Sequence, residues 1–163
     1  MYLPFDQMPI HSRIWTYTSN RKLEKRELEI IISKLSAFCG QWNTHGALMP
    51  TSFEIKFDQV ILLAVDESQL GASGCSIDSS VKLLREIENE FEIDLLNQGK
   101  VSFFKNENDL EVNPIVGIKS KVHEGILRAE TLVLNPTVNT KHDLEKNWKI
   151  QAKESWLGKF FEN

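Results

Sequence analysis

Cysteine is scarce in this chain: Cys39 and Cys75 are the only two among 163 residues. That excludes a disulfide framework. The four histidines, His11, His45, His123 and His142, are scattered, and none pairs with another His or Cys at metal-ligand spacing, so no metal is expected. Long apolar runs are also missing. None approaches the roughly 20 residues that cross a bilayer, so no membrane insertion is expected. Basic charge is not in excess: 19 Lys and Arg stand against 23 Asp and Glu, a net charge of −4. This argues against nucleic acid as a partner. Gly-Lys-Ser and Gly-Lys-Thr are absent, which removes the lysine of a phosphate-binding loop. Met1–Asp6 opens with no basic n-region and no apolar h-region, so no secretory signal is expected and the cytoplasm is the expected setting. No Pro/Gly-rich linker, internal repeat or low-complexity stretch interrupts the chain. A single domain over 1–163 is expected.

What is present is ordinary globular composition, 41% hydrophobic and 26% charged. A chain of this length buries about 70% of its unfolded surface. Ser12–Thr18 is rich in β-branched and aromatic residues and reads as a strand, with Arg13, Trp15 and Tyr17 on one face. Asn20 is expected to cap a helical pattern over about 21–42, with Leu28, Ile31, Ile32, Leu35, Phe38, Cys39 and Trp42 at three- and four-residue spacing. Phe53, Ile55 and Phe57 alternate with Glu54 and Lys56, a strand with one buried face. Val60–Val65 is apolar on both faces and reads as a central strand covered on both sides. A second amphipathic helix is expected from about Ile77–Ser79, stopped by Asn97 and Gly99. Val101–Phe104 reads as a further strand.

The resulting order, β-α-β-β-α-β, predicts an α+β fold of the ferredoxin-like kind. Its four-stranded antiparallel sheet would carry two helices on one face. The core would span about 12–105, with a C-terminal α/β extension over about 106–163. In that extension, Asn113 and Pro114 are expected to start a short helix ending near Gly125. Thr131–Leu134 reads as a strand and Thr140–Trp148 as a helix. Trp15 and Tyr17, if they lie on the helix-free sheet face, would need cover from the extension or from a second copy of the chain, making a homodimer an expected partner arrangement.

The richest functional signal is the stretch from Asp66 to Ser80, which joins the buried strand to the second helix. Gly71, Ser73, Gly74 and Ser76 allow backbone N–H groups to point at a ligand, and the helix start adds free N–H groups. No Lys or Arg lies between Asp66 and Ser80, while Asp66, Glu67 and Asp78 bracket the loop. A neutral hydroxyl-bearing ligand, or an anion brought with a cation, therefore fits better than a bare anion. The candidate ligand-binding residues are Asp66, Glu67, Ser73, Gly74, Cys75, Ser76 and Asp78. Ser76 or Asp78 capping the helix is the plain structural alternative. Cys75 just before a helix is a candidate nucleophile, with His45 or His11 as base. Asp66 and Asp78 are an alternative acid–base pair.

Several segments together resemble one family. They are Met1–Asp6, Arg13-Ile14-Trp15, Trp42 with His45-Gly46, Ser52–Ile55, Ala64–Glu67, Gly71–Asp78, Thr131-Leu132-Val133 and Ser155-Trp156. The chain is similar over its whole length to a family of Bacteroidetes proteins whose members carry the label ABC transporter ATPase. The resemblance implies a bacterial, cytoplasmic setting and assigns no residue a role. ABC ATPases need a Walker A loop, a Walker B acid and a Leu-Ser-Gly-Gly-Gln signature. Only Ala72-Ser73-Gly74 echoes that signature here, so ATP hydrolysis by that mechanism is not expected. The expected function is a non-catalytic module that binds a small polar ligand or a protein through loop 66–78, with no cofactor. The alternatives are a small enzyme using Cys75 or the Asp66/Asp78 carboxylates, and a homo-oligomeric assembly protein.

Overall fold

The computed structural model describes residues 1–162. Its elements, in chain order, are β1 (Arg13–Thr18), α1 (Lys25–Gln41), a short hairpin of β2 (Asn43–Thr44) and β3 (Ala47–Leu48), β4 (Thr51–Lys56), β5 (Val60–Val65), α2 (Gly74–Phe91), β6 (Lys100–Asn106), β7 (Asp109–Pro114), α3 (Ile118–His123), β8 (Leu132–Leu134), α4 (Lys141–Asn147) and β9 (Lys149–Gln151). The protein is α+β with antiparallel sheets.

Two larger sheets form. The first has the order β1-β5-β4, with Trp15 opposite Leu63 and Phe53 opposite the same residue from the other side. The second has the order β7-β6-β8-β9. The expected four-stranded βαββαβ sheet is therefore made for three strands only. Its fourth strand, β6, pairs with β7 and β8 in the second sheet. The edge of β1 that β6 would have taken is met instead by the segment before α4: the Ile14 N–H donates to Asn139 O at 2.9 Å, and the Lys141 N–H to Ser12 O at 2.9 Å.

The layers follow from the two-residue alternation of strands. Tyr17, Ile61, Leu63 and Val65 face α1 and α2, where they pack with Ile31, Leu35, Leu84 and Ile87. The opposite face, Ile14, Val60, Leu62 and Ala64, packs on Leu110, Val138, Leu144 and Trp148. The second sheet turns Val101, Phe103 and Val133 outward onto Ile118 of α3 and Leu157 of the C-terminal tail. The order of layers is helices, sheet, sheet, helix. Trp15 and Tyr17 thus lie under the chain's own helices and not on an open face, which corrects the ground for a homodimer through them. The second face is covered by the C-terminal extension.

Several boundaries differ from the sequence reading for local reasons. α1 begins at Lys25, because Glu24 and Glu27 form a reciprocal capping box. Asn20 instead bridges to Asp94, whose N–H donates to Asn20 Oδ1 at 2.8 Å. α2 begins at Gly74 and ends at Phe91, where Glu92 takes a left-handed backbone (φ 53°), well before Asn97 and Gly99. Residues 109–114 form a strand, and the helix expected from Asn113 starts only at Ile118 after one 3-10 turn. Phe57 does not share the face of Phe53 and Ile55. It sits in the β4–β5 turn with φ 58°, next to Asp58 at φ 53°. There its ring meets Phe104 edge-on at 5.1 Å and Trp148 at 5.7 Å, contacts that offset a left-handed cost of about 1–2 kcal/mol.

Candidate functional site

α2 starts where the sequence turns from small residues to an apolar stripe. Ser73 is its N-cap, and its Oγ accepts the Ser76 N–H at 3.1 Å. The Ser76 hydroxyl, 3% exposed, lies 2.8 Å from Ser73 Oγ and donates to Asn43 O at 2.6 Å. In return, the Trp42 indole N–H donates to Ser76 O at 2.8 Å. These bonds tie the 43–48 hairpin to the first turn of α2, and the hairpin turns back through left-handed backbone at His45 and Gly46 (φ 50° and 82°).

Between the hairpin and α2 lies an open cleft of about 280 Å3. Phe38 and Trp42 form its floor, with ring centroids 4.9 Å apart. Gln41, Asn43 and His45 form one wall, and Ser73, Cys75 and Ser79 the other. No Asp, Glu, Lys or Arg lines it. The N–H groups of Gly74 and Cys75 have no acceptor within the helix, as at any helix start. The Ser79 hydroxyl donates to Cys75 O at 2.9 Å, which leaves its oxygen free to accept. Cys75 is an exposed free thiol. The cleft therefore offers an imidazole, amides, a hydroxyl, a thiol and an aromatic floor without formal charge.

The structure brings together only part of the expected site. His45, Ser73, Cys75 and Ser76 line the cleft; Asp66, Glu67, Gly74 and Asp78 do not. Asp66 accepts the Ser68 N–H at 2.9 Å and stands 3.1 Å from His11 Nε2. Burial raises its carboxyl, but the bonds from Ser68 and His11 outweigh that and hold it below the usual range. Glu67 folds back on its own loop, accepting the Ala72 N–H at 2.8 Å, and faces Arg13 at 3.6 Å. Asp78 is exposed on α2. The loop carboxylates thus organise the turn away from the cleft. Among the described residues, no group of three His, Cys, Asp or Glu is placed to hold a metal. Ser80, buried on α2, is committed internally: its Oγ donates to Ile77 O at 2.6 Å.

Phe38, Gln41, Trp42 and Asn43 were not expected in the site. Only the end of the α1 apolar stripe pointed to them, and the stripe alone does not say that the hairpin folds back onto α2. Among the described residues, no helix is long and apolar enough to cross a membrane. Comparison with protein-family models, curated proteins and solved structures returns no match, so the cleft is read from its own geometry.

Proposed function

We propose that the chain is a non-catalytic binding module for a small, uncharged, polar ligand seated between the 43–48 hairpin and the start of α2. The observation that carries this reading is the charge-free cleft of about 280 Å3 with His45, Cys75 and Ser79 around the Phe38–Trp42 floor. Its size suits a ligand below the drug-sized range. Phosphate transfer is no part of the reading, because the approach to α2 holds no lysine or arginine. The test is a thermal-shift screen against nucleosides, sugars, amino acids and polyols. A ligand at 100 times its Kd stabilises by about 2.7 kcal/mol, which raises Tm by roughly 5–11 °C in a domain of this length. The shift disappears in His45→Ala or Ser79→Ala, both at exposed positions. A panel in which only charged compounds shift Tm refutes the reading.

A second reading has one observation in its favour: exposed Cys75 and His45 line the same cleft. In it, His45 activates the Cys75 thiol toward an electrophile. Alkylation of Cys75 then slows in His45→Ala. Equal rates in the two proteins remove this reading and leave the first intact.

A further inference from the structure

An outer strand of a sheet presents unpaired N–H and C=O groups along its free side. β4 is an outer strand of the first sheet. At Thr51 the N-terminal segment serves that side: the Thr51 N–H donates to Met1 O and the Leu3 N–H to Thr51 O, both at 2.9 Å. Pro4 then leads into a 3-10 turn and ends the pairing. Backbone groups alternate in direction along a strand, so those of Phe53 and Ile55 point the same way as those of Thr51. Among the described residues no backbone group pairs with them there.

The other outer strands are guarded. β1 is met by the segment before α4. β7 carries Asp109, Glu111 and Pro114, so pairing it with its own copy sets acid against acid or meets a residue without an N–H. β9 has three residues. β4 has neither proline nor bulge, and it reads Phe53-Glu54-Ile55-Lys56. Laid antiparallel on a second copy, with Ile55 opposite Ile55, it sets Glu54 against Lys56 of the partner subunit and Lys56 against the partner subunit's Glu54. Within one chain these two side chains share a face, 3.1 Å apart and only partly buried. A shift of one residue would instead oppose Glu54 to its own copy, so the charges select a single register.

α1 supplies an apolar part. It packs on β4, and it follows the strand from end to end. Just before it, the Leu23 N–H donates to Asp58 O at 2.8 Å in the β4–β5 turn; near its end, Thr51 Oγ1 donates to Cys39 O at 2.6 Å. Its middle is therefore level with Ile55. Lys34 marks the side of α1 toward α2, through its 3.3 Å pair with Glu90. Ile32 lies about 160° round the helix from Lys34. It is on the flank turned away from α2, above the free edge of β4, and is 44% exposed.

We propose that the β4 edge is a homodimer interface. Two copies pair antiparallel about Ile55 and join their first sheets into one. Glu54 and Lys56 cross between the chains, and Ile32 of each is drawn toward the two-fold axis. The same patch serves both copies, as a closed two-fold requires. The paired stretch is short, so the dimer is weak and reversible, at the low end of interface size. The cleft lies on the α2 side of α1 and stays open, so this pairing is independent of the ligand reading.

The test is sedimentation velocity of the full chain across a wide concentration range, up to near-millimolar. The mass should rise with concentration from the 18.8 kDa of one chain toward twice that value. Glu54→Lys or Lys56→Glu should weaken dimerisation about tenfold, since the two-fold counts each reversed pair twice. The double variant Glu54→Lys/Lys56→Glu should regain it, because the opposed charges have only changed places. Ile32→Asp should also weaken it, and the Tm of each variant shows separately that the fold has survived. A protein that stays monomeric at the highest concentration overturns the proposal. So does a dimer unaffected by either single reversal, or a folded double variant that associates no better than the single ones.

Discussion

Ser76→Ala is the sharpest probe of how the cleft is built. The hydroxyl is buried and bonds Asn43 O at 2.6 Å and Ser73 Oγ at 2.8 Å. Alanine leaves the Asn43 carbonyl without its donor, while Ser73 Oγ keeps the backbone N–H of residue 76 and the carbonyl of residue 76 still receives the Trp42 indole N–H. Stranding a part-buried acceptor costs about 1–3 kcal/mol. Each kcal/mol lowers Tm by roughly 2–4 °C in a domain of this length, so a mid-range loss of about 2 kcal/mol corresponds to roughly 4–8 °C. Ser79→Ala is the control. Its exposed hydroxyl donates only along the helix to Cys75 O, and a change there stays within about 0.5 kcal/mol. Calorimetry gives both values, and hydrogen exchange of the 43–48 amides reports whether the hairpin has loosened. A Ser76→Ala protein as stable as the Ser79→Ala control, with unchanged hairpin exchange, would show that Ser76 does not hold the cleft wall.

Native protein treated with a thiol reagent should titrate one fast cysteine, Cys75, and reveal the second only on unfolding. Cys39 is fully buried, and burial pushes its thiol up to about 12. Arg21 grips Glu27 through two bonds of 2.8 Å and, against the opposing effect of burial, holds its carboxyl at about 2, down from 4.5. That shift converts to about 3 kcal/mol, reduced to about 1–2 kcal/mol because the Arg21 side chain is 40% exposed. A depressed carboxyl stabilises above its unfolded value and loses this as pH falls through the folded one. Glu27→Gln should therefore be less stable at pH 7 and converge on the wild type near pH 2 in urea titrations. Gly158→Ala should lower Tm, since a Cβ there would sit 2.7 Å from Lys153 O; backbone must move, at about 1–3 kcal/mol. Unchanged stability would mean that the tail is not seated as described.

The elements were legible where periodicity was long and of one kind. The stripe from Leu28 to Trp42 and the run Val60–Val65 gave α1 and β5. The helix expected over Thr140–Trp148 is α4, where Thr140 is the cap, its Oγ accepting the Asp143 N–H at 3.1 Å. Short elements were not. β2, β3 and β9 have two or three residues each, too few for any alternation to register. β7 places only Leu110 and Val112 on its apolar face, and Pro114 at its end reads equally well as a helix start. At the site, the small residues before α2 were visible, and so was the alternative of a capped turn, though the cap is Ser73 and not Ser76 or Asp78. Ser73 and Ser76 close the turn and anchor the hairpin, and the neighbouring carboxylates bond their own loop. Which distant segment forms the opposite wall is a tertiary fact with no local signature.

The departure from the expected four-stranded sheet has a cause already present in β5. A strand apolar on both faces demands cover on both faces, and two helices on one side supply only one. The second side, Ile14, Val60, Leu62 and Ala64, is closed by Leu110, Val138, Leu144 and Trp148. All four are supplied by the chain after residue 106. At about 1.5–3 kcal/mol for each buried side chain, that closure is comparable to the whole net stability of a domain, about 5–15 kcal/mol. β6 leaves the first sheet because it is worth more as the centre of the second, where Phe103 and Phe104 are each covered on their own side. The same step separates the cleft from a cavity between the sheets. Trp15 packs beneath the cleft, 5.9 Å from Trp42, and its neighbour Thr16 lines the cavity on the other side. Alternation along β1 thus assigns adjacent residues to opposite layers, one closed by helices and one by a second sheet.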